Sequence, residues 1–262
     1  MRWGWLAGIL VGFSVLAASP LFAQERVERF ATARGGALPT LVVLPPGPVR
    51  GIAVLLVGGS GRLKPAQGQH PASNNILIRA RHFFAVAGFV VAIPDAPSDR
   101  GRGGLVGWRT SAGHMADISL LARRLRRRFP VPVWLIGSGR GAISAAAAGA
   151  RVPEIAGVVL IAAITRPGRR RSATVFDAPI REVSKPVLVV HHKQDKCPAS
   201  PPSGSGRLFA RLMGATVREI RFIEGGKPAV SQPCGGLSAH GFYGVGRKTV
   251  AEISKWIGIF ER

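Results

Sequence analysis

The segment WLIGSGRGAIS, from Trp134 to Ser144, contains a spacing that could support nucleophilic chemistry. Gly137 and Gly141 are placed like the outer glycines of Gly-x-Ser-x-Gly, a motif in which a strand turns sharply into a helix and exposes a serine hydroxyl. The central position here is Gly139, and the nearest serine, Ser138, comes one position earlier. The sequence therefore predicts the turn but lacks the serine side chain that normally stands at its centre.

Two later residues could complete such a site. Asp195 follows the apolar run KPVLVVHHKQ, and His240 lies in LSAHGFYG, after the last predicted strand. Asp195 comes 56 residues after Gly139 and 45 before His240, in the chain order nucleophile, acid, histidine. Alone, Asp195 is more typical of a strand-end turn and His240 of a packed loop. Their joint spacing behind the glycine-framed turn favours an acid and base pair.

Ser138 is the alternative nucleophile. Its flanking glycines could let the turn shift by one residue, but such a shift moves a side chain to the opposite face of an extended strand. We therefore favour a small residue tolerated in a tight turn, and keep as alternatives attack by Ser138 or by a water activated by His240. Without a serine oxygen no acyl-enzyme forms, and losing it in a serine protease costs about a million-fold in turnover.

The run GGSGRL, from Gly58 to Leu63, could supply backbone hydrogen-bond donors. It lacks the lysine and hydroxyl residue that end a phosphate-binding P-loop, and its spacing differs from the dinucleotide-binding pattern. Because glycines let backbone amides approach a substrate oxygen closely, we interpret the run as an oxyanion loop.

The surrounding pattern predicts a doubly wound, mostly parallel α/β sheet. Two antiparallel edge strands are predicted in RVERFATAR and PTLVVLPPG, and later apolar runs are typical of strands buried on both faces. Stretches with helical spacing separate most of these runs, and the loops after the strands should frame any site. The runs are GIAVLLVGG, GFVVAIPD, VPVWLIGS, IAGVVLIAA, KPVLVVHH and ATVREIRFIEG, and the predicted helices lie in NNILIRARHFFAVAG, AGHMADISLLARRLRRRF, RGAISAAAAGARV, GSGRLFARLMG and GRKTVAEISKWIGIFER.

With these features the chain resembles the α/β-hydrolase family, most closely small exported esterases and dienelactone-hydrolase-like proteins. The resemblance covers nearly all of the mature chain and also rests on LLVGGSGRL, IPDAPSDR, HHKQDKCPASPP and LSAHGF. It implies that Asp195 orients His240, and that amides near Ser60 or Gly61, together with Arg140, form an oxyanion hole. It also implies a small acyl-ester or lactone-like ligand. Gly139 stands where the family carries its catalytic serine.

The first residues, MRWGWLAGILVGFSVLAASPLFAQ, predict a signal peptide at 1–23, cleaved after Ala23. A membrane anchor is the alternative, but glycines interrupt the apolar run and it is shorter than the roughly 20 residues of a bilayer span. The prediction leaves one α/β-hydrolase domain at 24–262 in a periplasmic or secreted protein, with no later stretch apolar enough to span a membrane.

The two cysteines, Cys197 and Cys234, favour a disulfide over a metal site in an exported chain. Such a bond would tie the loop of the acid to the loop of the histidine. We interpret His114, in a helical stretch, and His191 and His192, at a strand end, as structural. We therefore expect no metal and no cofactor.

The chain carries 36 lysines and arginines against 13 acidic residues, a formal net charge of +23. Its two dense clusters lie at 123–128, on the polar side of a predicted helix, and at 166–171, in a loop. No nucleic-acid motif with interleaved aromatic residues accompanies them, so no specific nucleic-acid partner is expected. The leading hypothesis is a weak or inactive hydrolase-like binding protein, the second an active hydrolase, and the third, least supported, a basic protein that binds anionic envelope surfaces.

Overall fold

The computed structural model describes Met1 and residues 24–63, 74–168 and 172–261. The predicted signal peptide therefore lies outside the described residues, Met1 apart, and so do residues 169–171 of the second arginine cluster. Within the described ranges no helix combines the length and apolar character that a membrane span requires.

In the described residues, eight strands form one sheet in the order β1-β2-β4-β3-β5-β6-β7-β8. β1 and β2 pair antiparallel, β2 pairs antiparallel with β4, and all the remaining neighbours are parallel. This confirms the predicted mostly parallel sheet, although β2 pairs on both sides, so that β1 alone forms that edge. The strands are β1 (Glu25–Ala31), β2 (Ala37–Val43), β3 (Gly51–Leu56), β4 (Phe89–Pro94), β5 (Val133–Ser138), β6 (Ile155–Ile161), β7 (Val187–His192) and β8 (Arg218–Ile223).

Helices cover both faces of this sheet. One apolar layer joins α3, α4 and α5 to alternate strand residues such as Ile52 and Val54. The other apolar layer joins α1, α2 and α6 to the strand residues that point to the opposite face, such as Ala53 and Leu55. The helices are α1 (Ile76–Arg79), α2 (Arg81–Val86), α3 (Ala112–Arg128), α4 (Gly141–Arg151), α5 (Ser203–Arg211) and α6 (Gly246–Ile257).

The single helix predicted for NNILIRARHFFAVAG is wrong, because the structure contains two short helices separated at Ala80, where φ is −98° and ψ is 0°. Ile76, Leu77 and Ile78 are all buried. Three consecutive residues cannot share one face of a straight helix. The break at Ala80 redirects the chain, so that Phe84 also reaches the core.

Candidate active site

The turn between β5 and α4 has the geometry that its glycines predict. Gly139 lies between the two elements with φ +56°, in the left-handed region. A Cβ on Gly137 would collide with the backbone carbonyl of Gly141, and one on Gly141 with the carbonyl of Leu56. The outer glycines are therefore required by close backbone packing. At Gly139, in contrast, no atom of the described residues other than its chain neighbours lies within 4 Å of the position that a Cβ would occupy.

His240 and Asp195 form the predicted pair. His240 Nδ1 lies 2.8 Å from Asp195 Oδ2, and the carboxylate is fully buried while 13% of the His240 side chain is exposed. A carboxylate oxygen only accepts, so Nδ1 carries the proton and Nε2 is left as an acceptor. His240 lines the cleft that contains Gly139. This is the tautomer that a general base needs.

The Asp195 carboxylate is held by further donors. Its Oδ1 accepts from the Cys197 amide at 2.8 Å, and its Oδ2 lies 3.1 Å from His191 Nε2. Burial by itself raises the pKa of Asp195, but the hydrogen bonds from His191, His240 and Cys197 outweigh burial and hold this pKa below its ordinary value. The acid is therefore ionised at neutral pH.

His191 is more than the packing residue that the sequence suggested. Its Nε2 faces two acceptors, Asp195 Oδ2 and the Ser200 carbonyl oxygen at 3.0 Å, so Nε2 carries the proton. Its Nδ1 accepts from the Ser205 hydroxyl at 2.8 Å. The only sequence signal for this contact is that His191 precedes Asp195 by four residues at a strand end.

Residues that could supply backbone hydrogen-bond donors line the cleft on two segments of the chain. The N–H groups of Gly59 and Ser60, in the loop after β3, and of Arg140, before α4, have no acceptor in the part of the chain that the structure describes. All three residues line the cleft. Gly61 is placed differently, because its amide donates to the Gly58 carbonyl at 3.1 Å. The geometry therefore favours Gly59 over Gly61 as the partner of Ser60 and Arg140.

Arg109 lies behind this loop and was not singled out from the sequence. Its Nη2 lies 3.0, 3.5 and 3.2 Å from the carbonyl oxygens of Val57, Gly58 and Gly59, and its Nη1 donates to Ser144 Oγ at 2.9 Å. Only 5% of Arg109 is exposed. No local pattern marks this residue, since its carbonyl partners come from about 50 residues earlier in the chain.

The other two histidines interpreted as structural are buried and lie outside the cleft lining. His192 bonds to the Gly225 carbonyl oxygen through Nε2 and accepts the Gln194 amide at Nδ1. His114 lies 2.9 Å from Ser144 Oγ through Nε2. Burial, aided by repulsion from neighbouring arginines, lowers the pKa of His114 to about 3, so this ring is neutral.

Ser138, the alternative nucleophile, is 4% exposed at the end of β5. Its hydroxyl donates to Asn75 Oδ1 at 3.1 Å and accepts from Asn75 Nδ2 at 3.0 Å. Asn75 also caps α1, with its Oδ1 accepting the Leu77 amide. The structure thus brings Ser138 to the amide of Asn75 rather than to the imidazole of His240.

The predicted disulfide is present between Cys197 and Cys234, with Cα atoms 4.6 Å apart. Cys197 lies two residues after Asp195 and Cys234 six before His240, so the bond joins the acid loop to the histidine loop. Both cysteines line the cleft. The disulfide therefore forms part of the cleft wall as well as a covalent link.

The cleft has a volume of about 590 Å³ and contains the turn, the oxyanion loop and His240. Its apolar lining includes Leu63, Ile76 and Ile164. Among the described residues, no group of three or more histidines, cysteines and acids is arranged to hold a metal ion. The arrangement can bind a small molecule, donate hydrogen bonds to an oxygen and accept a proton at His240.

Comparison with known proteins identifies the fold. No family model matches the chain, and no curated protein matches its sequence. Among solved structures it is similar to an esterase from Pyrococcus furiosus, with a TM-score of 0.65 and 12% identity over 90% of this chain and 91% of that one. It is also similar to a thermostable carboxyl esterase from Bacillus coagulans, with a TM-score of 0.63 and 13% identity over 92% of this chain and 99% of that one.

A cold-adapted esterase from an Arctic intertidal metagenomic library gives a TM-score of 0.59 and 16% identity over 94% of this chain and 99% of that one. The chain therefore has the α/β-hydrolase fold, as its resemblance implied. At these identities the similarity establishes the fold, and function has to be argued from the site.

Proposed function

We propose that this protein is an exported α/β-hydrolase-fold protein that binds a small acyl-ester or lactone-like ligand and hydrolyses it weakly or not at all. One observation carries the proposal: Gly139 stands at the apex of the nucleophile turn, beside a complete His240–Asp195 pair. A base without a nucleophile cannot form the acyl-enzyme.

The remaining groups support binding. Amides of Gly59, Ser60 and Arg140 can donate to a ligand carbonyl oxygen, and the apolar lining suits a short acyl chain. Binding and oxyanion contacts alone leave a serine protease with a residual rate of about 10³–10⁴ over water. We expect hydrolysis through a water on His240 to be of this low order.

Hydrolysis by Ser138 is the competing function, and its hydrogen bonds to Asn75 disfavour it. An active serine nucleophile has to lie within hydrogen-bond reach of its base. The competing function would require the Ser138 hydroxyl to leave Asn75 and the turn to rearrange around two glycines that backbone packing holds in place.

A fluorophosphonate probe and a panel of short p-nitrophenyl esters test the proposal on the mature protein. We expect no covalent labelling, and turnover that is unchanged in Ser138→Ala. Labelling at Ser138 that disappears in both Ser138→Ala and His240→Ala would overturn the proposal in favour of an active hydrolase. Gly139→Ser serves as the positive control for the probe, because it places a hydroxyl at the apex.

A further inference from the structure

The cleft presents hydrogen-bond donors and positive charge, but no exposed carboxylate. Arg62 and Arg140 line it, and no aspartate or glutamate does so among the described residues. The Asp195 carboxylate lies behind His240 and is fully buried. The amides of Gly59, Ser60 and Arg140, which have no acceptor among the described residues, add to the donor set. A ligand matched to this lining has to bring acceptors.

The Arg109 guanidinium fixes the direction of the loop amides. In a trans peptide group, C=O and N–H point in opposite directions. The carbonyls of Gly58 and Gly59 point at Arg109, so the N–H groups of the same two peptide units, those of Gly59 and Ser60, point away from it. These two residues line the cleft. Arg109 therefore holds these two peptide units with their N–H groups on the side of the loop away from its own guanidinium.

Arg109 also places an uncompensated positive charge behind the loop. No salt bridge joins it to an acid within the described ranges. Burial, with a smaller contribution from Arg140, lowers the pKa of Arg109 to about 10, which still leaves it protonated at neutral pH. Backbone carbonyls solvate the charge but do not neutralise it, and a buried charge without a counter-ion is costly. An anion in the cleft would supply the missing charge.

The turn provides room for such an anion. Beside Gly139 the space for a serine side chain is open, next to the amide of Arg140 and in the same cleft as His240. A carboxylate has two oxygens and about four lone-pair sites, which match several convergent donors. A neutral ester offers one carbonyl oxygen, which is a weaker acceptor than a carboxylate oxygen, and it carries no charge.

We propose that the cleft is a binding site for a small carboxylate anion, with one oxygen on the Gly59 and Ser60 amides and the other in the open space beside Gly139. The inference rests on the proposed function, a cleft that binds a ligand without turnover. It deepens that function by making a carboxylate anion, rather than a neutral ester, the preferred ligand. Arg109 is a positioning residue for this site, since it acts through the loop amides.

Butyrate and its neutral isostere butyramide test the charge requirement on the mature wild-type protein. We expect butyrate to bind at least about 10-fold more tightly at pH 7, which corresponds to about 1.4 kcal/mol, and to weaken with added salt. Amide NMR shifts should locate the ligand at Gly59, Ser60 and Arg140. Equal affinity for the two compounds, binding of neither, or shifts elsewhere would overturn the proposal.

Gly139→Ala tests the position, because a methyl group fills the open space without adding a nucleophile. We expect butyrate affinity to fall at least about 10-fold. Gly35→Ala is the matched control, because Gly35 has φ +81° in the β1–β2 turn, no described residue beyond its neighbours lies within 4 Å of a Cβ there, and it lies outside the cleft lining. Equal butyrate affinity in both variants would contradict the proposed position.

Arg109→Gln and Arg109→Lys separate charge from packing. We expect the lysine variant to keep part of the preference for butyrate over butyramide and the glutamine variant to lose it. If Arg109→Gln does not fold, the comparison of butyrate with butyramide and the comparison of Gly139→Ala with Gly35→Ala still test the proposal. Ester turnover by the wild-type protein would count against the proposed function alone, because the comparison of acid with amide does not depend on turnover.

Discussion

Gly139 has φ +56°, a conformation that costs a residue with a side chain about 1–2 kcal/mol relative to glycine. Space is available there, since within the described part of the chain no atom beyond the adjacent residues lies within 4 Å of the Cβ position. A serine at Gly139 would therefore be strained but not obstructed, and its hydroxyl would share a cleft with His240. Strain of this kind is common where a backbone turn presents a functional side chain.

We accordingly expect Gly139→Ser to lower the free energy of unfolding by about 1–2 kcal/mol and to create or greatly raise esterase activity on short acyl esters. The gain should appear in kcat rather than in KM, because the added oxygen acts on the reaction step. Steady-state kinetics and urea unfolding measure the two effects.

Gly139→Ala is the control for strain, and should show the loss of stability without the activity. The activity should also vanish when His240→Ala is added to Gly139→Ser, since members of one catalytic unit are not additive. A folded Gly139→Ser protein that is inactive on several esters and lactones would mean that more than one residue separates this site from hydrolysis.

Asp195 gives stability that depends on pH in a defined direction. Its pKa in the folded protein is below the unfolded value of about 3.9. A depressed pKa contributes stability that is fully present above the unfolded value and is lost as the pH falls through the folded one. In His191→Leu the carboxylate loses the Nε2 donor, so its pKa should rise and the acid-induced loss of stability should begin at higher pH.

Urea unfolding between about pH 2 and pH 6 measures this shift. Ser205→Ala removes the hydroxyl that fixes the His191 tautomer while leaving the Nε2 donor in place, and should change the profile less. An acid-induced loss of stability that begins at the same pH in the wild-type protein and in His191→Leu would show that His191 does not stabilise the ionised acid.

At the scale of elements, the disulfide holds two loops that no strand or helix joins directly. It closes a separation of 37 residues between Cys197 and Cys234. The chain-entropy estimate for a loop of this length is about 4 kcal/mol. We expect the variant Cys197→Ala/Cys234→Ala to lose stability of this order and dithiothreitol to destabilise only the wild-type protein. Equal stability of the two proteins in oxidising buffer would contradict this role.

The sequence predicted those elements whose hydrophobic pattern directly indicates which of their faces are buried. The strands from β3 to β7 are mostly apolar and almost continuously buried, because both faces of a parallel sheet are covered. The break between α1 and α2 was missed, because hydrophobic spacing does not show that three consecutive residues are all buried.

The residues of the site likewise fall into those that the sequence predicted and those that it did not. Asp195 and His240 could be found because the chain order of acid and histidine constrains where they lie. Arg109 and Asn75 could not, because their partners are distant in sequence and are set by packing. Gly61 was included for its glycine-rich context, whereas its amide is used inside the turn.

For the whole molecule, the sheet begins almost at the predicted cleavage point. β1 starts at Glu25, whose carboxylate pairs with Arg81. Cleavage after Ala23 would leave Gln24 as the single residue before the first strand. We expect the exported protein to begin at Gln24, as read by intact-mass or N-terminal analysis. A mature protein that begins within β1, or that retains residues 1–23, would contradict the predicted cleavage.

The backbone packing around Gly137 and Gly141 also bears on how such a protein can change over generations. Both glycines are required by the fold, whether or not the site turns over a substrate. A change in catalytic ability would therefore leave the frame of the turn in place, because folding alone requires both glycines. Glycine codons GGU and GGC differ by one base from the serine codons AGU and AGC. Where codon 139 is GGU or GGC, a single nucleotide change would suffice to place a hydroxyl at this position.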